Sequence, residues 1–263
     1  MTDVLLIGCG RMGSALLKGW RESKAAGKAI VVDPALPTLP GVTVVSSLVE
    51  VSGALPKTIL LAVKPQMLDQ VMPSLAERLP DGALIISIAA GKPIAYFADR
   101  LGKLAAIVRT MPNTPAAIGR GITVCCAGPG VSVAQKETAD RLMKAVGEVA
   151  WIEDESLMHA VTAVSGSGPA YVFHLIEALQ AAAEAAGLPV ELAAKLARET
   201  VTGAGELARQ SADTPAKLRA DVTSPGGTTA AALGVLMSEK GLTELMTRAV
   251  AAATARSEEL AKG

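Results

Sequence analysis

"VLLIGCGRMGSALLKGW" (Val4–Trp20) decides the fold. An apolar run leads into a G-x-G-x-x-G spacing at Gly8, Gly10 and Gly13, and a helical pattern opens directly behind it. This order predicts a buried parallel strand, a tight turn and a helix. The first glycine then turns the chain, the second lets a pyrophosphate approach, and the third packs the helix on the strand. The pyrophosphate would rest on bare amides at the helix N-terminus, where the peptide dipoles also favour an anion. A second strand pattern ends at Asp33, 20 positions past Gly13, where a carboxylate accepts ribose hydroxyls. A carboxylate there favours a free 2′-hydroxyl over a 2′-phosphate, and no Arg or Lys lies between Pro34 and Thr43. The expected cofactor is therefore NADH or NADPH with a lean to NADH, with Arg11 and Lys57 as the cations still able to reach a phosphate.

Outward from this stretch, β-α alternation continues to about residue 153. Val4–Gly8, Ala29–Asp33, Val42–Val45, Thr58–Val63, Ala83–Ile88 and Ala105–Arg109 read as strands, with helices at Ser14–Lys24, Gln66–Arg78 and Pro93–Leu101. Ile122–Ala127 and Val149–Ile152, around a helix at Ser132–Val146, complete the sheet. Continuous rather than alternating apolar strands mean that both faces of the sheet are covered. From residue 154 the pattern is helical only: Glu155–Ala163, Pro169–Ala186, Pro189–Gln210, Pro215–Asp221, Thr228–Ser238 and Leu242–Ala261. The expected fold is α/β, a Rossmann-type doubly wound sheet over 1–153 followed by an all-α domain over 154–263. The helical half is rich in alanine and can bury little alone, so pairing with a second copy is expected.

Composition narrows the function. Half of the 263 residues are hydrophobic and 25 Lys and Arg balance 25 Asp and Glu, which leaves no basic surface for nucleic acid or an anionic membrane. Cys9, Cys125 and Cys126 are too few and oddly placed for a disulfide framework, which points to a reducing compartment. No His or Cys pair has metal-ligand spacing. The start of the chain lacks a basic leader, and its longest apolar run is too short to span a bilayer. A protein of the cytoplasm is expected, with no metal.

Three more stretches lie where strands end, the edge at which open α/β sheets bind ligands. "LAVKPQ" places Lys64 there, "SIAAG" offers small residues that let a ring approach, and "RTMPNTPA" reads equally as an extended loop holding Asn113 near a nicotinamide or as a rigid turn. In the helical half, "DVTSPGGTTAAAL" (Asp221–Leu233) interrupts one helix and starts another at once. It reads either as an inter-helix turn or as a ligand loop whose hydroxyls and free amides face an anion.

With these stretches together, the chain resembles the Δ1-pyrroline-5-carboxylate reductases, through Ile7–Gly13, Ala62–Pro65, Met111–Pro115, Ser165–Tyr171 and Thr223–Thr229. The resemblance runs nearly end to end, and "SGSGPAY" and "SPGGTT" are its most specific parts. It implies hydride transfer from NAD(P)H to the C=N bond of a cyclic imine carrying a carboxylate, giving L-proline. It also implies a homodimer through the C-terminal helices, assembled in many members into a decamer. The cofactor side would comprise Ile7, Gly8, Cys9, Gly10, Arg11, Met12, Gly13, Asp33, Ala62, Val63, Lys64, Pro65, Ile88, Ala89, Ala90 and Asn113. The substrate side would comprise Glu155, Val222, Ser224, Gly226, Gly227, Thr228 and Thr229, with the Thr229 hydroxyl at the ring nitrogen. By its sequence position alone, Glu155 reads equally as an N-terminal helix charge.

Two other enzyme classes and one non-enzyme share parts of this pattern. Hydroxyacid dehydrogenases of similar build need a general base, a lysine one turn after a Gly-x-Gly, and "SGSGPAYVFH" supplies none. A reductase of a six-membered imine differs by one methylene, worth only about 1–3 kcal/mol of discrimination. A dinucleotide sensor would keep the fold without turnover.

Overall fold

The computed structural model of the chain describes residues 1–102 and 105–262. Eight strands form one sheet: β1 (Val4–Ile7), β2 (Ala29–Val32), β3 (Thr43–Val45), β4 (Thr58–Leu61), β5 (Leu84–Ser87), β6 (Ala106–Met111), β7 (Gly121–Ala127) and β8 (Gly147–Ile152). Their order is β3-β2-β1-β4-β5-β6-β7-β8. All neighbours are parallel except β6 and β7. The helices between them are α1 (Arg11–Ser23), α2 (Leu68–Arg78), α3 (Ile94–Leu101) and α4 (Val133–Lys144).

Strand residues divide alternately between two cores. Leu5, Ile7, Ile59, Leu61 and Ile85 join Leu68, Met72 and Phe97 of α2 and α3. Val4, Leu6, Leu60 and Ile86 join Leu16, Trp20 and Leu142 of α1 and α4. The strands are continuously apolar because each successive side chain meets a helix on one face or the other. Cys125 and Cys126 follow the same alternation, one in each core. Burying one such aliphatic side chain stabilises the fold by about 1.5–3 kcal/mol. Trp20 also satisfies its indole N–H, donating to the Leu142 carbonyl at 2.8 Å across the α1–α4 contact.

One local expectation needs correction, and one open reading is decided. Helix α1 opens at Arg11 rather than Ser14, because extended Gly10 (φ −67°, ψ −162°) caps it without a side-chain bond. No Ser, Thr, Asp or Asn marks that start. Of the two readings of Arg109–Ala116 the turn is the one found: β6 continues to Met111, and a 3₁₀ turn at Thr114–Ile118 starts with a proline in its first two positions. Proline suits such a start, since its fixed φ is helical and its missing N–H would have no partner there.

Beyond the sheet the described chain is helical: α5 (Met158–Val161), α6 (Gly168–Ala185), α7 (Val190–Gln210), α8 (Pro215–Asp221), α9 (Thr228–Leu236) and α10 (Leu242–Lys262). A π turn at Thr162–Gly166 precedes α6. The chain divides into two compact units, one formed by residues 1–166 with the chain from Ala253 on, the other by Ser167–Ala252. In the second unit α6 packs on α7. Among its described residues only Ala193 and Ala197 are fully buried, while Phe173 is 61% exposed and Val190, Leu207 and Val235 are exposed as well.

Candidate active site

One row of residues crosses the whole sheet: Val45, Val32, Ile7, Leu61, Ser87, Arg109, Cys126 and Ile152 are successive register partners. The residue after this row on β1, β2, β4 and β5 is Gly8, Asp33, Ala62 or Ile88, all four of them expected on the cofactor side. The register thus brings to one edge residues that are 80 positions apart in the chain, as from Gly8 to Ile88.

The three glycines do different work there. Gly8 lies at φ +92°, and a Cβ on it would sit 2.8 Å from the Ala62 backbone. On Gly13 a Cβ would stand 2.3 Å from the Gly8 carbonyl oxygen, so α1 and the strand-end turn touch through hydrogen alone. Around Gly10 a Cβ would meet nothing within 4 Å. The first and last glycines are demanded by the protein itself, whereas Gly10 leaves open space in front of a helix end. That end has no side-chain cap and no acidic residue in its first turn. A diphosphate fits this cradle: free amides, a favourable dipole end and no Cβ in the way.

Asp33 braces the turn. Its Oδ2 accepts the Cys9 amide at 2.6 Å and its Oδ1 accepts the Ala35 amide at 2.9 Å. Each carboxylate oxygen keeps a second lone pair for a hydroxyl. Burial, and then the Asp33 charge, push the Cys9 thiol above its ordinary range, which keeps it protonated and unreactive. A cavity of about 470 Å³ opens at this edge, lined among others by Gly8, Gly10, Asp33, Ser46, Val63 and Lys64.

The other expected cofactor residues flank this edge. Lys64 is exposed at the start of a 3₁₀ turn that begins with Pro65. Ala89 is buried, with its amide donating to Ser87 Oγ at 3.2 Å, so it can offer a ligand little but backbone. Asn113 caps its 3₁₀ turn in sequence, but its Oδ1 accepts the Ile122 amide at 2.9 Å, bridging the ends of the β6–β7 connection.

Glu155 has unexpected partners. Its Oε1 accepts from Arg109 Nη1 at 2.9 Å and from the Ile94 amide at 2.8 Å. It opens its own 3₁₀ turn at Glu155–Leu157 and also serves as an N-terminal charge for α3. The Arg109 side chain is only 6% exposed and that of Glu155 28%, so the pair ties β6, α3 and the 155–157 turn together at the margin of the core.

The substrate-side loop lies in the second unit. Ser224–Gly227 is a type II turn: Pro225 precedes Gly226 at φ +69°, and the Gly227 amide donates to the Ser224 carbonyl at 3.0 Å. Gly227 then caps α9 with no side-chain bond and no acidic residue in the first turn. Thr228 and Thr229 open the helix, Thr228 exposed and Thr229 half-buried, with Val222 exposed. The stretch is thus an inter-helix turn in form, with the free amides a ligand loop requires. Among the described residues no cluster of three His, Cys, Asp or Glu could hold a metal ion, and no helix is long and apolar enough to cross a membrane.

Known proteins agree along the full length. A family described as pyrroline-5-carboxylate reductase dimerisation matches residues 155–260, and one described as NADP oxidoreductase, coenzyme F420-dependent, matches residues 3–91. A pyrroline-5-carboxylate reductase of Pseudomonas aeruginosa is 41% identical over 98% of this chain and 97% of its own. The chain belongs to the pyrroline-5-carboxylate reductase family. Among solved members of that family, the Coxiella burnetii reductase superposes with a TM-score of 0.91 at 36% identity, covering 100% of this chain and 99% of its own. The Plasmodium falciparum reductase, solved with NADP bound, gives 0.82 at 30% identity over 99% and 98%.

Within this reductase-family fold, two features escaped the sequence. Arg109 reads as an ordinary strand end, and its partner Glu155 stands 46 positions away. The only local hint is a charge inside an otherwise apolar run. Ser46 joins the cavity because β3 pairs with β2, a juxtaposition no spacing encodes.

Proposed function

We propose that the protein reduces Δ1-pyrroline-5-carboxylate to L-proline, the last step of proline biosynthesis, with a nicotinamide dinucleotide as hydride donor. The observation that carries it is the cradle in front of α1, where Gly10 leaves open space before uncapped amides. Ile7–Gly13 would hold the pyrophosphate and Asp33 the ribose, while Ala62–Pro65, Ile88–Ala90 and Asn113 would wall the nicotinamide. The bound dinucleotide supplies the hydride; everything else is positioning by the chain.

The Ser224–Gly227 turn and the first amides of α9 would receive the substrate carboxylate, with Val222 beside them and the Thr228 hydroxyl as a further donor. The Thr229 hydroxyl would accept from the iminium N–H and set the face presented to the hydride. A protonated cyclic imine is already an electrophile, so the reaction needs no general base. Glu155 Oε1 is committed to Arg109 and Ile94, which leaves Oε2 for a ligand. Asp33 favours NADH, since a carboxylate beside the ribose repels a 2′-phosphate. The exposed apolar side chains of α6 and α7 support a homodimer, which further contacts would extend to a decamer, and three unpaired thiols suit the cytoplasm.

Loss of NADH and NADPH absorbance with and without racemic pyrroline-5-carboxylate tests this. Imine-dependent oxidation with a higher kcat/KM for NADH is expected. Thr229→Ala should lower kcat by about 10- to 100-fold while cofactor affinity stays within about twofold. Tight NADH binding without imine-dependent oxidation would make the protein a sensor.

A further inference from the structure

We propose that Glu50 is a specificity-determining residue that closes the corner of the cofactor cavity to a 2′-phosphate. The inference rests on the dinucleotide reading above. Pairing of Val32 with Val45, extended by the bond from the Asp33 amide to the Val45 carbonyl at 3.0 Å, sets Ser46 beside Asp33. Ser46 and Ser47 line the cavity together with Asp33 and Pro34. Two hydroxyls and an amide at a ribose-facing corner are the donors a 2′-phosphate would use.

Here all three are already engaged by one carboxylate. The Ser46 amide donates to Glu50 Oε2 at 3.1 Å, the Ser46 hydroxyl donates to Oε1, and the Ser47 hydroxyl donates to the same oxygen at 3.4 Å. Glu50 is itself exposed and holds these lining donors from beside the cavity. One cation on the same side of the sheet is occupied elsewhere. Arg78 of α2 turns its guanidinium onto backbone carbonyls, Nη1 to Leu48 and Nη2 to Val51 at 2.7 Å and Gly53 at 2.9 Å. Lys64, which also lines the cavity, follows β4, separated from β2 by β1. An incoming 2′-phosphate therefore approaches the Asp33 and Glu50 carboxylates, with the three donors of Ser46 and Ser47 already engaged. A 2′-hydroxyl needs only one acceptor, and Asp33 is that acceptor. The charge penalty at such a surface site is of the order of one Coulomb contact in a high dielectric, about tenfold in affinity.

Isothermal titration of 5′-AMP and of adenosine 2′,5′-bisphosphate into wild type, Glu50→Ala and Glu50→Gln reads the corner without any turnover. Wild type should prefer 5′-AMP. Glu50→Ala should tighten the bisphosphate about tenfold and leave 5′-AMP within about twofold, and Glu50→Gln, which keeps an acceptor but no charge, should fall between. The NADPH-to-NADH ratio of kcat/KM should rise in step. If wild type prefers 5′-AMP and neither variant changes the bisphosphate constant, Glu50 has no part in selection and Asp33 acts alone. If wild type binds neither nucleotide, the cofactor reading itself fails and takes this assignment with it. If it binds both equally, the cofactor reading stands and the corner selects against nothing, which overturns the assignment to Glu50. Should Glu50→Ala weaken both nucleotides equally, the loop has come apart, and the two constants of Glu50→Gln decide.

Discussion

Removing Glu155 should cost more stability than removing its partner Arg109, although both changes delete the same ion pair. The difference lies in what each leaves behind. Glu155→Ala strands a guanidinium whose side chain is 6% exposed and also frees the Ile94 amide at the start of α3. Breaking a buried pair from one side costs about 3–5 kcal/mol, and the partial exposure of the Glu155 position admits water and lowers this to about 2–3 kcal/mol. Arg109→Met keeps the apolar volume and leaves a carboxylate that is 28% exposed, can hydrate, and still accepts from Ile94. That change should cost about 1 kcal/mol. The double variant should be less destabilised than the sum of the two, because the stranded charge is gone. Urea denaturation followed by tryptophan fluorescence suits the question, since Trp20 and Trp151 both belong to the unit that contains the pair. An Arg109→Met variant less stable than Glu155→Ala, or strictly additive single changes, would refute the placement of the buried charge.

Gly10→Ala should leave the urea midpoint almost unchanged, because its Cβ meets nothing within 4 Å, yet weaken dinucleotide binding about tenfold or more by filling the cradle. Gly13→Ala should instead destabilise the fold by about 1–3 kcal/mol, its Cβ being driven 2.3 Å from the Gly8 carbonyl; equal effects of the two on stability would contradict the division of labour in the turn. Burial first, and then the hydrogen bond donated to Asp69 at 2.7 Å, push the Tyr96 phenol from 10.0 up to about 12. Its contribution to stability is complete below pH 10 and lost as pH rises through about 12, so the phenolate band assigned by Tyr96→Phe should emerge late in a near-ultraviolet titration, and earlier in Asp69→Asn.

The strands were legible because both faces of the sheet are covered, so runs such as Ile59–Leu61 carry no polar interruption. Pro215 and Asp221 bracket α8 where the punctuation placed them. The glycine turn was legible for a different reason: its residue types follow from backbone geometry and leave little freedom. What the chain concealed depends on contacts between distant segments or on unmarked termini. The start of α1 is capped by glycine, which has no side chain to announce it. The turn at Thr114–Ile118 satisfies Pro115 as a helix start, whereas two prolines within eight residues suit an extended loop equally. The π turn at Thr162–Gly166 adds one residue to a helical register that periodicity alone cannot see. Arg109 and Glu155 find each other, and Asp33 finds the Cys9 amide, only after the sheet has formed.

The helices of the second unit bury little more than alanine in the single chain, while Phe173, Val190 and Val235 stand in water. In the homodimer proposed above, such a surface makes the folded population a matter of mass action. Each protomer of that dimer would borrow hydrophobic burial that it does not contain, so the apparent stability of the helical half should rise with total protein and fall on dilution. Thinning the solution then acts on this half as heat or urea does elsewhere, and a melting temperature has meaning for it only when the concentration is stated alongside.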